Sequence, residues 1–225
     1  MSFHFQEHQT LLSFKVNRFF DLSHTLSSKT PVFPGDEQPE FRVNEKLKKS
    51  NIQVMTIKLN THLGTHLDCP SHLGDKNIFT DNMSIDHFYG HATVIDVRDK
   101  ICNEEINIEL KAKYFNYDYI IFFTGHDLFW GKDKYFNTYP ALSKKLTKEL
   151  AKSSIKGIGI DTCNVDKVND LNFTNHHILL NQEKVIIENL TNLDKLIDKN
   201  FKLMVFPLKI KNGDGSPIRA VALID

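Results

Sequence analysis

The chain has 225 residues, 40% of them hydrophobic and 25% charged, which suits a compact protein able to bury a core and excludes a disordered or low-complexity one. Lysine and arginine together number 28, as do aspartate and glutamate, so no surplus positive field is available to condense on a phosphate backbone or an anionic bilayer. Neither nucleic acid nor a membrane is expected as a partner, and no run approaches the roughly 18 apolar residues of a spanning helix.

The opening twenty residues lack a basic start followed by an apolar stretch and a small-residue cleavage site, so a cytoplasmic protein is expected. In chain order, period-two or short continuous apolar runs predict strands over 19–26, 52–59, 92–97, 119–124, 155–160, 185–188, 203–208 and 220–224. The clearest helix follows Pro140, where Leu142, Leu146 and Leu150 recur every four residues with lysines on much of the other face. Shorter helices are predicted near 111–114, 175–180 and 192–197, and turns at 31–39 and 212–217. No linker, charge block or repeat interrupts this pattern, which predicts one α/β domain over residues 1–225. Cys69, Cys102 and Cys163 are odd in number and widely spaced, which reads as reduced thiols rather than a disulfide framework or a zinc ribbon.

The chemistry concentrates where the strand over 52–59 is expected to end, in His62-Leu-Gly-Thr-His66-Leu-Asp68-Cys-Pro-Ser-His72. Imidazole is the usual nitrogen ligand of zinc and carries protons near neutral pH. Gly64 and Pro70 argue against a helix. A turning loop with Gly64 at positive φ lets two imidazoles and a carboxylate meet at one centre, with a coordination position left open. The alternative is a set of polar loop residues bound to backbone and solvent. His87 and His91, spaced i, i+4 beside Asp86, imitate a ligand cluster but precede an apolar strand with no third ligand in register. Cys69 is read as packing under the loop, with a soft ligand or nucleophile as the alternative.

The run His62 to His72 matches the H-x-G-T-H-x-D-x-P-x-H signature of the cyclase family of metal-dependent hydrolases, which includes bacterial kynurenine formamidases. The resemblance extends through Phe20-Asp-Leu-Ser, Pro31-Val-Phe-Pro-Gly-Asp36, Thr124-Gly-His with Trp130 and Tyr139-Pro, Gly159-Ile-Asp-Thr162, and Gly215-Ser-Pro-Ile-Arg-Ala220. It implies a swivelling β/β/α fold with a mixed sheet core. It further implies that His62, His66 and Asp68 serve one metal while Asp68 bridges to a second held by His176 and Glu188, which have the family's spacing. A carboxylate can span cations roughly 3.5–4 Å apart, in keeping with a bridging Asp68. His177 and Glu183 compete with His176 and Glu188 but break that spacing, and His177 is read as supporting a ligand or packing.

By the same resemblance, His72 transfers protons, with a hydrogen bond to a ligand as its alternative role. Phe33 stands where family formamidases commonly carry a substrate-facing tryptophan; it keeps the stacking surface and loses the indole donor. Trp130 and Phe129 are further pocket candidates, with core packing the preferred role. The implied cofactors are two zinc ions per chain, with manganese as an alternative. The implied reaction is attack by metal-activated water on a C–N amide bond, and the chain has no G-x-S-x-G elbow for a serine route. N-formyl-L-kynurenine, cleaved to L-kynurenine and formate in tryptophan degradation, is the leading small-molecule substrate. Other amides, cyclic amides such as isatin, and lactones are alternatives, and a non-catalytic metal-binding or regulatory module is the alternative of a different class. A homodimer or larger homo-oligomer is expected.

Overall fold

The computed structural model describes residues 18–224, so the expectation drawn from the opening segment lies outside them up to residue 17. A nine-stranded mixed sheet dominates, in the spatial order Arg18–Asp21, Val221–Ile224, Phe201–Met204, Tyr89–Asp96, Tyr119–Phe123, Gly157–Ile160, Val185–Glu188, His66–Asp68 and Gly215–Pro217. The four strands from Tyr89–Asp96 to Val185–Glu188 run parallel, and the pairings outside them are antiparallel.

The connectivity forces this sheet to curl. Gly215–Pro217 is its last strand and Val221–Ile224 its second, yet only Ile218, Arg219 and Ala220 lie between them in the chain. Seven strand spacings in a flat sheet cover about 33 Å. A connector of this length reaches about 14 Å at most. The two margins are therefore drawn together, and hydrogen bonds from Leu22 N to the Ala220 carbonyl (2.9 Å), Ile218 N to the Thr65 carbonyl (3.0 Å) and His24 N to Thr65 Oγ1 (2.9 Å) join them.

Side-chain alternation splits the core into two layers. In Tyr119–Phe123, fully buried as its unbroken apolar run requires, Tyr119, Ile121 and Phe123 enter one layer and Ile120 and Phe122 the other. The first layer fills the inside of the curl with Leu67, Ile187, Leu203 and Ala222. The second is capped by the helices Lys144–Lys152 and Thr174–Leu180, which bury Leu146, Leu150, Leu179 and Leu180.

Several expectations need correction: the strands predicted over 19–26 and 203–208 are Arg18–Asp21 and Phe201–Met204, and residues 22–26 and 205–208 lie outside any strand. The strand predicted over 52–59 is only Met55–Lys58, and it pairs with Glu40–Val43 in a separate two-stranded sheet with all four side chains exposed. Its alternation slips at Met55-Thr56, so no single face is apolar enough to be drawn into the core. The histidine segment is not a pure loop, because His66–Asp68 is itself a strand of the main sheet. Leu142 belongs not to the helix but to the short strand Ala141–Leu142, since Ser143 caps the helix by accepting from Leu146 N. The turn expected over 212–217 ends in the strand Gly215–Pro217. Strand over 185–188 and helix near 175–180 stand where expected, and no helix of the described residues is long and apolar enough to cross a membrane.

At the C-terminal ends of two adjacent parallel strands, fully buried Asp161 accepts hydrogen bonds from Thr124 N, Thr124 Oγ1, Gly125 N and His126 N, at 2.7–3.2 Å. The motifs Thr124-Gly-His and Gly159-Ile-Asp-Thr162 are thus two halves of one knot, with Gly125 at φ 75° making the turn. Asp161→Asn sets an amide NH2 against converging N–H donors, and the expected loss is about 2 kcal/mol of unfolding free energy in urea titration.

Candidate metal centre

The sheet register builds the centre. His66 pairs directly with Glu188 across the antiparallel strands, so their side chains leave the same face, and Asp68, two residues on, shares that face. Leu67 between them points the other way, into the core inside the curl, opposite Ile187. The helix Thr174–Leu180 covers the ligand-bearing face and brings His176 onto it. His62 arrives from the preceding turn, where Gly64 takes φ 64° and a Cβ would collide with Leu26 Cδ2.

Each histidine has one nitrogen fixed from outside and the other aimed inward. His66 Nδ1 lies 2.9 Å from the Gly64 carbonyl, itself held by the Asn189 side chain at 2.8 Å, so Nδ1 donates and Nε2 faces the centre. His176 Nδ1 lies 2.6 Å from Asp166 Oδ2, and Asp166 also accepts the backbone N–H groups of Asn175 and His176 at the start of the helix. His62 Nε2 lies 2.9 Å from Asp214 Oδ2, leaving Nδ1 at 2.7 Å from Asp68 Oδ1. Metal-binding histidines characteristically have such outer partners, which set tautomer and ring orientation.

The inward atoms converge. His66 Nε2 is 3.2 Å from Asp68 Oδ1 and 3.6 Å from Glu188 Oε2. His176 Nε2 is 3.5 Å from both Asp68 Oδ2 and Glu188 Oε1. Three donor triads result among the described residues: His62, His66 and Asp68; Asp68, His176 and Glu188, with Asp68 common to these two; and the half-buried His62, His72 and Asp214 beside them. Fully buried Asp68 Oδ2 has no hydrogen-bond partner among the described residues, an arrangement costly in a protein interior unless a cation takes it.

The electrostatics agree. Burial opposes charge on His62 and His176, yet the hydrogen bonds that His62 donates to Asp214 and Asp68, and His176 to Asp166 and Asp68, push both up to about 10. Burial would raise Asp68 too, but His66, His176 and His62 hold it well below the usual carboxylate range. Burial and the Asp68 charge beside it drive Glu188 well above that range. The centre therefore favours positive charge, and this nitrogen and oxygen donor set fits a divalent transition metal.

The competitors fall away by geometry. His177, one residue round the helix from His176, is exposed, so it neither supports a ligand nor packs in the core, and Glu183 is exposed and paired with Lys76. Neither His87 nor His91 enters a donor cluster among the described residues. Cys69 is completely buried in the core inside the curl, and burial pushes its thiol up to about 12.

The donors sit at the base of a pocket of about 200 Å³, also lined by His72, Phe33, Phe136, Phe173 and Trp130. Phe33 meets Phe136 edge to face at 6.1 Å. Trp130, expected mainly as core packing, lines the pocket and stacks on His24 at 4.1 Å. Phe129 lies instead against His126 with Lys134 over its ring. Sequence reasoning missed Asp166, Asn189 and Asp214. The only available signal for Asp214 was an aspartate between two glycines, Gly213 and Gly215, in what read as a plain turn.

A pocket floored by paired carboxylates and histidines defines a candidate metal centre. The chain belongs to the cyclase family, whose family model matches residues 20–167. It is 34% identical to an uncharacterised protein of Methanocaldococcus jannaschii, over 91% of this chain and 98% of that one. It is 26% identical to a kynurenine formamidase of Bacillus cytotoxicus, over 92% and 98% of the two chains. Isatin hydrolase A from Labrenzia aggregata has the same fold, with a TM-score of 0.79 at 24% identity over 92% of this chain and 94% of that one.

Gly215 pairs with Asp68, and a Cβ there would stand 2.7 Å from His62 Cε1 and 2.8 Å from the Leu67 carbonyl. Gly215→Ala is expected to push His62 out of line and weaken zinc binding by about tenfold or more, read by competition with a chromophoric chelator.

Proposed function

We propose that this chain is an amide hydrolase whose best single substrate is N-formyl-L-kynurenine, cleaved to L-kynurenine and formate as a step of tryptophan degradation. The observation that carries the reading is the convergence of His62, His66, Asp68, His176 and Glu188 at the floor of an aromatic-walled pocket that also presents His72. The likeness to kynurenine formamidases along nine-tenths of the chain supports the choice of substrate.

His62, His66 and Asp68 would hold one divalent ion, and Asp68, His176 and Glu188 a second, with zinc preferred and manganese the alternative. When bound, the metal supplies Lewis acidity, which makes water a nucleophile near neutral pH and polarises the scissile carbonyl. Phe33, Phe136 and Trp130 hold the aryl ring and keep bulk water from the reacting carbon. His72, whose ring centroid lies 3.9 Å from that of His62, takes a proton from the attacking water at its free nitrogen. The water oxygen bonds to the formyl carbon, the C–N bond breaks, and His72 returns the proton to the departing nitrogen. A cyclic aryl amide is the second reading, favoured by Phe33, which offers a stacking face without an indole donor to read a formyl side chain.

Comparing kcat/KM for N-formyl-L-kynurenine, isatin, simple amides and lactones tests the substrate, and a chelator is expected to abolish turnover. His66→Ala and Asp68→Ala are expected to lose metal and activity together. His72→Ala is expected to keep its metal by elemental analysis and lose about 10²–10⁴ in kcat. Metal loss in His72→Ala makes it a ligand instead, and full metal occupancy with no turnover on the whole panel favours a binding module.

A further inference from the structure

Asp214 is tied to the histidine motif by both backbone and side chain. Its carbonyl accepts from Cys69 N at 2.9 Å, and its Oδ1 accepts from Thr61 Oγ1 at 2.9 Å, which fixes the plane of the carboxylate. Oδ2 is shared: it lies 2.9 Å from His62 Nε2 and 3.3 Å from His72 Nδ1. The two imidazoles lie against each other, tilted by 34°. An ionised carboxylate only accepts, so each facing ring nitrogen must carry a proton. A neutral imidazole has one such proton, and placing it on Nδ1 leaves Nε2 of His72 as the basic atom.

We propose that Asp214 is the positioning residue of His72, setting its tautomer and ring orientation through the same oxygen that fixes His62. The inference rests on reading His72 as the proton carrier. It accounts for the position of the His72 side chain, more than a quarter exposed, in the pocket lining beside His62. It also explains the sequence around Asp214. Gly215 gives His62 room beside the carboxylate, and Gly213, whose Cβ would meet Thr80 Oγ1 at 2.5 Å, lets the turn close behind it.

The test uses zinc-loaded full-length protein and the near-isosteric Asp214→Asn. Nitrogen-edited NMR of the His72 ring is expected to show the Nδ1–H tautomer in the wild type and a mixture in the variant. The kcat for N-formyl-L-kynurenine is expected to fall about 10²-fold with KM within about threefold and metal content unchanged. The double variant His72→Ala/Asp214→Asn is expected to be no slower than His72→Ala, within about twofold, because Asp214 acts through His72. An unchanged His72 tautomer, multiplicative losses in the double variant, or loss of metal from Asp214→Asn comparable to Asp68→Ala overturns the proposal. Absence of wild-type turnover on any amide would defeat the functional reading alone, since the tautomer measurement still decides the role of Asp214.

Discussion

The antiparallel pairing that sets His66 opposite Glu188 is the constraint on which the centre depends. A strand has period two, so a slip of one residue would turn His66 and Asp68 into the apolar layer and Leu67 onto the ligand face. Leu67 and Ile187, both fully buried on the other side, make that slip costly. The apolar core inside the curl thus holds the register, and the register places the donors. The strand is only three residues long, and Gly215–Pro217 and Val185–Glu188 brace it from either side.

Crowding Asp68 and Glu188 together out of water is unfavourable without compensating charge. Asp166, Asp214 and the Gly64 carbonyl bind the outer nitrogens of the three histidines, so the inner nitrogens are turned towards the carboxylates of Asp68 and Glu188. Glu188 Oε1 accepts from Val165 N at 3.1 Å, which limits its freedom as well. The donors are held before any ligand arrives, which lowers the reorganisation needed to bind one.

The pocket wall is assembled differently, from segments outside the main sheet. Trp130 is set by the turn that Asp161 closes, and it lies flat on His24, whose burial lowers its pKa to about 4 and leaves a neutral ring for stacking. Phe33 and Phe136 complete an apolar surface over a charged floor. Strands and a helix thus hold His66, Asp68, His176 and Glu188, while turns supply His62, His72 and the pocket wall.

Much of this was legible in the sequence because it is local. Short apolar runs within 119–124 and 185–188 read as strands, Gly64 reads as a tight turn, and the spacing of His62, His66 and Asp68 reads as a ligand set. The exposed strand Met55–Lys58 and the displaced Leu142 show the limit of periodicity, since neither alternation nor four-residue spacing says which neighbour a segment will meet. The sequence by itself determined the residue types, the buried strands and the family. The family spacing pointed to His176 rather than the adjacent His177, and tertiary structure supplied the physical reason, because helix rotation about a packed axis turns His176 to Asp68 and leaves His177 exposed. Tertiary structure alone brought Asp214 to His62 and His72 across more than 140 residues, because that contact exists only once the sheet curls and Gly215–Pro217 pairs with His66–Asp68.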